Sequence, residues 1–196
     1  HQRRRQPNTC FFHSAIPFMS HKLVLHIPHA SSLIPDMRGF LINDSKLIDE
    51  INLLTDWFTD ELFESEKDIC LKAGFSRVFC DVERFCDDNI EPMAKSGMGV
   101  IYTTCDDGSP LRTLTAEERG EILQRYYHPH HQKLFEAVER QLTQTNSAFI
   151  LDCHSFSDTP FKRDTDQHPN RPDFCIGTDN LDRKSTRLNS SHRIRS

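Results

Sequence analysis

Two histidines stand directly behind short apolar runs, His29 in IPHAS and His154 in LDCHSF. Neutral imidazoles suit zinc, and a catalytic zinc usually takes three protein ligands and leaves one position for water. Bound zinc lowers that water's pKa toward ~7 and polarises a carbonyl, which is what amide hydrolysis requires. A strand-end histidine can equally serve only to hydrogen-bond nearby backbone, and position alone does not choose between the two. Asp152 lies two residues before His154, so on an extended strand the two share a face. There it can orient the histidine or cap a turn.

The densest histidine group, Tyr126-Tyr127-His128-Pro129-His130-His131, has i, i+3 spacing for a metal only if a helix runs through Pro129. We therefore read His131 as structural or substrate-side rather than as a ligand, and His26, inside the strand before Pro28, as a core or edge histidine. The segment SRVFCDVERFCDDNIEPM puts Arg77 at the start of an expected strand and Asp81, Glu83 and Arg84 at its end. A planar guanidinium fork matches a substrate carboxylate. An internal network of arginine with Asp and Glu fits the same residues.

The elements that must position these residues follow from periodicity. Lys22 to Ile27 is a β-rich run closed by Pro28. Leu47, Ile51, Leu54, Phe58 and Leu62 repeat at helical spacing between Ser45 and Glu66, with a break expected near Thr55. RVFCDV (77–82) and VIYT (100–103) are β-branched and aromatic runs that predict two further strands. Thr115 and Glu118 have capping-box spacing, and the helical stripe that follows is interrupted at Pro129, so two helical pieces meeting at a kink or break are expected. AFIL (148–151) leads into Asp152 and His154, and Phe174 to Ile176 predicts one more strand. Alternating strands and helices predict an α/β sheet with helices on its faces, in which ligand sites gather beyond the carboxyl ends of strands.

The 196 residues, 36% hydrophobic and 27% charged, fit one domain. A net charge of -5 gives no basic field for nucleic acid. No apolar run reaches the ~20 residues that span a bilayer, and a secretory signal is not visible, so the reading is a cytoplasmic protein without membrane partners. The seven cysteines, Cys10, Cys70, Cys80, Cys86, Cys105, Cys153 and Cys175, include no C-x-x-C pair and read as reduced thiols. Residues 1–18 lack a clear period and precede Met19, and 183–196 turn abruptly to Ser, Arg and Asn. Both are expected to lie outside a domain of 19–182.

In order, IPHASSLIP, TDWFTDELF, SRVFCDVERF, EPMAKSGMGVIYT, YYHPHHQKL, LDCHSF and RPDFCIGTD resemble the N-formylglutamate amidohydrolase family. The resemblance covers nearly all of Leu23 to Asp179. It implies a three-layer α/β/α sandwich around a mixed sheet, similar to zinc carboxypeptidases, here incomplete at its C-terminal end. It also implies hydrolysis of the linear amide N-formyl-L-glutamate to glutamate and formate, a reaction of histidine degradation, with one Zn2+ per chain and a small N-acyl amino acid as partner. Carried over by motif, His29 and His154 become zinc ligands. Ser32 stands at the H-x-x-E position, so Asp56 of the TDW block is the expected third ligand, with Asp60 as its neighbouring alternative. Arg84 would bind a substrate carboxylate or polarise the scissile carbonyl, supported by Arg77. The family's C-terminal general-base glutamate has no matching block. A non-catalytic metal-binding module is the competing expectation.

Overall fold

The computed structural model describes residues 22–162, 167–178 and 188–194, so expectations for 1–18 and for Met19 fall outside the described residues. Strand β1 (Leu23–Ile27) is followed by helix α1 (Asp44–Leu54), a four-residue helix α2 (Thr59–Leu62) and strand β2 (Ile69–Lys72). Helices α3 (Ala116–Ile122) and α4 (His128–Thr145) come next, then strands β3 (Phe149–Ser157), β4 (Phe174–Thr178) and β5 (Leu188–Ile194).

The sheet has the order β2-β1-β3-β5-β4. β1 lies parallel to both β2 and β3, with Leu25 opposite Cys70 and Leu151 and His26 opposite Asp152. β5 continues parallel to β3, and β4 closes antiparallel. The first halves of the central strands are apolar on both faces, as a covered parallel sheet requires, and buried His26 and Asp152 follow toward their carboxyl ends. Val24 packs under Leu134 and Ala137 of α4 on one face, while Leu25, Ile27 and Cys153 pack with Phe63 behind α2 on the other. The carboxyl ends of β1 and β3 thereby emerge side by side.

α1 begins where Asn43 accepts from the Lys46 amide and buries the expected stripe Leu47, Ile51 and Leu54. It stops at Thr55, whose backbone turns extended and whose hydroxyl and amide both donate to the Ile51 carbonyl. The anticipated break near Thr55 is therefore present, and it lifts Asp56 off the helix. The capping box at Thr115 also forms.

Two of the expected strands need correction. RVFCDV and VIYT are not strands. Residues 76–80 turn, with the Phe79 and Cys80 amides donating to the Ser76 carbonyl, and Val100 meets Asp81 through one backbone bond of 2.8 Å. Their side chains are buried on every side rather than alternately (Val78, Phe79, Val100 and Tyr102 are all at 0% exposure), so the apolar run reflects a core loop. β2 was not anticipated, because DICLK carries only four strand residues between charged neighbours. The two expected helical pieces, α3 and α4, are present and meet ahead of Pro129 rather than at it. A π-helical turn over Leu123–Tyr127 precedes it, and Pro129 sits in the first turn of α4, where its missing N–H costs least. Leu188–Ile194 pairs with β3 and β4 through backbone bonds.

The long connection before α3 is stitched by Arg112, which is 1% exposed. Its guanidinium donates to the Arg38 and Phe79 carbonyls and lies 4.5 Å over the Phe40 ring. Six cysteines among the described residues are free thiols. No helix among the described residues is long and apolar enough to cross a membrane.

Gly39 anchors this connection with φ +75, its carbonyl accepting from the Thr113 amide at 2.9 Å. A Cβ there would meet the Thr113 carbonyl oxygen at 2.1 Å. Gly39→Ala is expected to destabilise the fold by more than ~1 kcal/mol, read as a lower urea midpoint with unchanged slope.

Candidate metal centre

His29 leaves the end of β1 and is 1% exposed. Its carbonyl accepts from the Asp56 amide at 3.0 Å, which ties the end of α1 to the end of β1. His154 comes up on β3 beside it, the two rings 5.2 Å apart. Asp56 Oδ2 stands 2.8 Å from His154 Nδ1 and 3.7 Å from His29 Nδ1. One ligand atom from each of His29, Asp56 and His154 lies within 4.8 Å of the others.

The opposite nitrogens of both rings are held by carboxylates. His29 Nε2–H donates to Asp81 Oδ1 at 2.8 Å, and His154 Nε2–H donates to Glu83 Oε1 at 3.0 Å. Asp81 is itself fixed by the Tyr102 hydroxyl (2.7 Å) and by Arg77 (3.1 Å). With each Nε2 committed to a carboxylate, each Nδ1 is left facing Asp56. This is the outer arrangement that orients metal-binding histidines and raises their basicity. His29 Nδ1 is buried without a hydrogen-bond partner. A buried unpaired nitrogen costs free energy unless something occupies it. Two imidazole nitrogens and one carboxylate oxygen form a donor set that suits zinc, so the residues present fit a metal.

A second group, His26, Glu83 and Asp152, also lies within 4.8 Å. Here His26 Nδ1 is 2.6 Å from Asp152 Oδ1 and His26 Nε2 is 2.8 Å from His130 Nε2. Burial, reinforced by His26, pushes His130 down to about 3, so it stays neutral. Assigned from this network, His130 donates to His26 and His26 donates to Asp152. Both His26 nitrogens are satisfied, which leaves the His29 group as the better candidate.

Charge balance shows what the site does without metal. Burial opposes ionisation of His154, yet its bonds to Asp56 and Glu83 raise it to about 10. Burial and Arg77 oppose His29 likewise, and Asp81, Glu83 and Asp56 outweigh them, so it too is raised. Against burial, the two imidazoles lower Glu83 to about 2 and hold Asp56 below its usual range. The protons on two imidazolium rings carry the same charge as one divalent cation. Exchanging them for metal therefore leaves the net charge of the site unchanged.

The structure brings together His29, Asp56 and His154 as expected from sequence. Asp60 lies apart, 3.9 Å from Lys72. Asp152 pairs with His26, while both nitrogens of His154 are taken by Asp56 and Glu83, so Asp152 is not the group that orients His154. Arg77 is absorbed internally, donating to Tyr102 and Asp81 with Asp56 3.7 Å away. Arg84 Nε is 3.5 Å from Asp81 and has no hydrogen-bond partner of its own. His131 Nε2–H donates to the Val82 carbonyl at 2.8 Å, and its ring lies 4.2 Å from Tyr127. Asp81 and Glu83 as histidine partners, Tyr102, and the contact of His26 with His130 were not read from sequence. The D-x-E-R spacing was the available signal.

The profile of the N-formylglutamate amidohydrolase family matches residues 21–193. The chain belongs to that family. Among solved structures, it is similar to the N-formylglutamate amidohydrolase from Ralstonia eutropha JMP134, with 26% identity and a TM-score of 0.69. That match covers 81% of this chain and 63% of the Ralstonia protein, so the chain spans less than two thirds of that relative's length. A gene product from Agrobacterium tumefaciens shares the fold at 16% identity and a TM-score of 0.55, over 90% of this chain and 81% of its own. No curated protein matches.

Two outcomes follow for this member of the family. Asp81→Asn, which removes the anionic partner of His29, is expected to weaken divalent-metal binding at this group roughly 10- to 100-fold in a chelator competition. The metal-free protein should be most stable between pH 4.5 and 6.5, the ordinary values of Glu83 and His154. The raised His154 contributes fully below 6.5 and loses its contribution as pH rises through about 10. The lowered Glu83 contributes above 4.5 and loses it as pH falls through about 2. Urea midpoints across pH read both limbs.

Proposed function

We propose that this chain carries the metal site of a zinc-dependent amidohydrolase that cleaves N-formyl-L-glutamate, or a related N-acyl amino acid, to the free amino acid and the acid. The observation that carries the reading is the convergence of His29, Asp56 and His154, with a buried unpaired His29 Nδ1, in a member of the N-formylglutamate amidohydrolase family. The family implies a small-molecule substrate, and likeness to the Ralstonia N-formylglutamate amidohydrolase supports the amide class.

One zinc per chain is proposed, held by His29, Asp56 and His154. When bound, it supplies Lewis acidity toward the scissile carbonyl and toward water. The protein's own part is orientation. Asp81 and Glu83 hold the Nε2 protons of His29 and His154, so that each Nδ1 is the nitrogen aimed at the site and the one that would give up its proton to a metal. Arg84 is assigned to the substrate carboxylate, since it is partly exposed and its Nε lacks a partner. Arg77 supports it indirectly by fixing Asp81. His131 is assigned a supporting role, holding the Val82 carbonyl beside Glu83 and Arg84. The sheet and helices fit the three-layer α/β/α sandwich of the zinc carboxypeptidase type, and that finer architecture belongs to the same proposal.

Elemental analysis of purified protein, beside a His154→Ala variant, tests the site. The expected result is about one zinc per chain, falling by more than tenfold in the variant, with formate released from N-formyl-L-glutamate by the wild type. Zinc without formate release would leave a metal-binding module, and a folded wild type without zinc would overturn the proposal.

A further inference from the structure

Glu83 and Arg84 project from a short irregular segment, Asp81 to Cys86, and one continuous helical run holds alternate carbonyls of it. The run passes from α3 through the π-helical turn into α4. His131 Nε2–H donates to the Val82 carbonyl, the Tyr127 hydroxyl donates to the Arg84 carbonyl at 2.8 Å, and Arg119 donates to the Cys86 carbonyl at 2.7 Å.

The π-helical turn is what brings these donors into line. The His128 amide donates to the Leu123 carbonyl, five residues back, so the turn absorbs one residue more than an α-helical turn does. In an unbroken α-helix, at ~100° per residue, Tyr127 would stand about 80° round the axis from Arg119, and His131 about 120°. With one residue absorbed, all three fall within about 40° of one another. They therefore face the segment together. Tyr127 is the middle donor and is buried, its ring 4.2 Å from that of His131. Burial pushes its phenol up to about 12, so the hydroxyl keeps its proton and donates.

The backbone of Arg84 is thereby held on both sides. Its amide donates to the Asp81 carbonyl at 3.3 Å, its carbonyl accepts from Tyr127, and the next amide, of Phe85, donates to Glu91 at 2.9 Å. The head of the side chain is less committed. Arg84 Nε is 3.5 Å from Asp81 and is buried without a hydrogen-bond partner. A guanidinium fixed at its root and with donor capacity at its head is pre-organised for an anion, since less ordering remains to be done on binding.

We propose that Tyr127 is a positioning residue for substrate binding: its hydroxyl, set in register by the π-helical turn, fixes the backbone from which Arg84 meets a substrate carboxylate. This rests on the assignment of Arg84 given above. Tyr127 is not one of the metal-group residues, so its loss acts on affinity for the carboxylate and leaves zinc binding in place.

The test compares two probes on zinc-loaded protein by calorimetry, neither of which needs turnover: L-glutamate, and acetohydroxamate, which chelates zinc and has no carboxylate. Tyr127→Phe keeps the ring and is expected to weaken L-glutamate roughly three- to tenfold, the worth of one hydrogen bond, with acetohydroxamate and zinc affinity unchanged. Arg84→Gln is expected to weaken L-glutamate at least as much and to spare acetohydroxamate likewise. A purely structural role for the hydroxyl would weaken both probes alike in Tyr127→Phe, and that result would overturn the proposal. Unchanged L-glutamate affinity in Tyr127→Phe would also overturn it. If Arg84→Gln binds L-glutamate as tightly as the wild type, the assignment of Arg84 fails and the proposal with it. If the wild type binds neither probe, the metal reading itself fails.

Discussion

The structure depends on keeping charge balanced in a place with little water. Asp81 is wholly buried and stands at the centre of that balance, facing His29, Arg77, Arg84 and Tyr102. A buried carboxylate is tolerated only when paired and hydrogen-bonded. Here the pairing also aims His29, because the nitrogen that Asp81 occupies leaves the other one free to bind. The ends of β1 and β3, the turn after β2 and the break after α1 must all meet at this point. Much of the irregular connection between β2 and α3 exists to bring Asp81, Glu83 and Tyr102 there.

His29, Asp56 and His154 were legible in the sequence for a physical reason. His29 follows an apolar run closed at Pro28, His154 stands within β3 just past its apolar first half, and adjacent parallel strands bring such positions together whatever lies between them. Asp56 became legible through Thr55, since only a helix that stops there frees the aspartate from the solvent face. The outer partners were hidden. RVFCDV is as β-rich as any strand in the chain, and nothing local announces that the run folds into a core turn around Phe79. Burial from all sides erases the alternation that would have distinguished the two. Arg77 looked like a free carboxylate binder because sequence gives residue types and not the count of partners already claimed.

Pro129 and β2 show the same limit from the backbone side. A proline inside a helical stripe ordinarily ends it, yet a π-helical turn just ahead lets the chain pass through and carries His130 into contact with His26. β2 is four residues long and is made a strand by its neighbour β1, opposite Val24 to Ile27, more than by its own composition. In both places tertiary contacts decided what local pattern left open. The His26, Asp152 and His130 chain that results pins β1, β3 and α4 together directly beneath the metal group.

The most direct test of the central claim is a crystal structure of the zinc-loaded protein with anomalous scattering recorded at the zinc edge. The account predicts a single strong peak bonded to Nδ1 of His29, Nδ1 of His154 and Oδ2 of Asp56 at about 2.0–2.2 Å, with Asp81 and Glu83 still on the two Nε2 atoms. A peak on the Nε2 side against Glu83, at the His26 and Asp152 pair, or no peak in a fully occupied, well-folded crystal would contradict it.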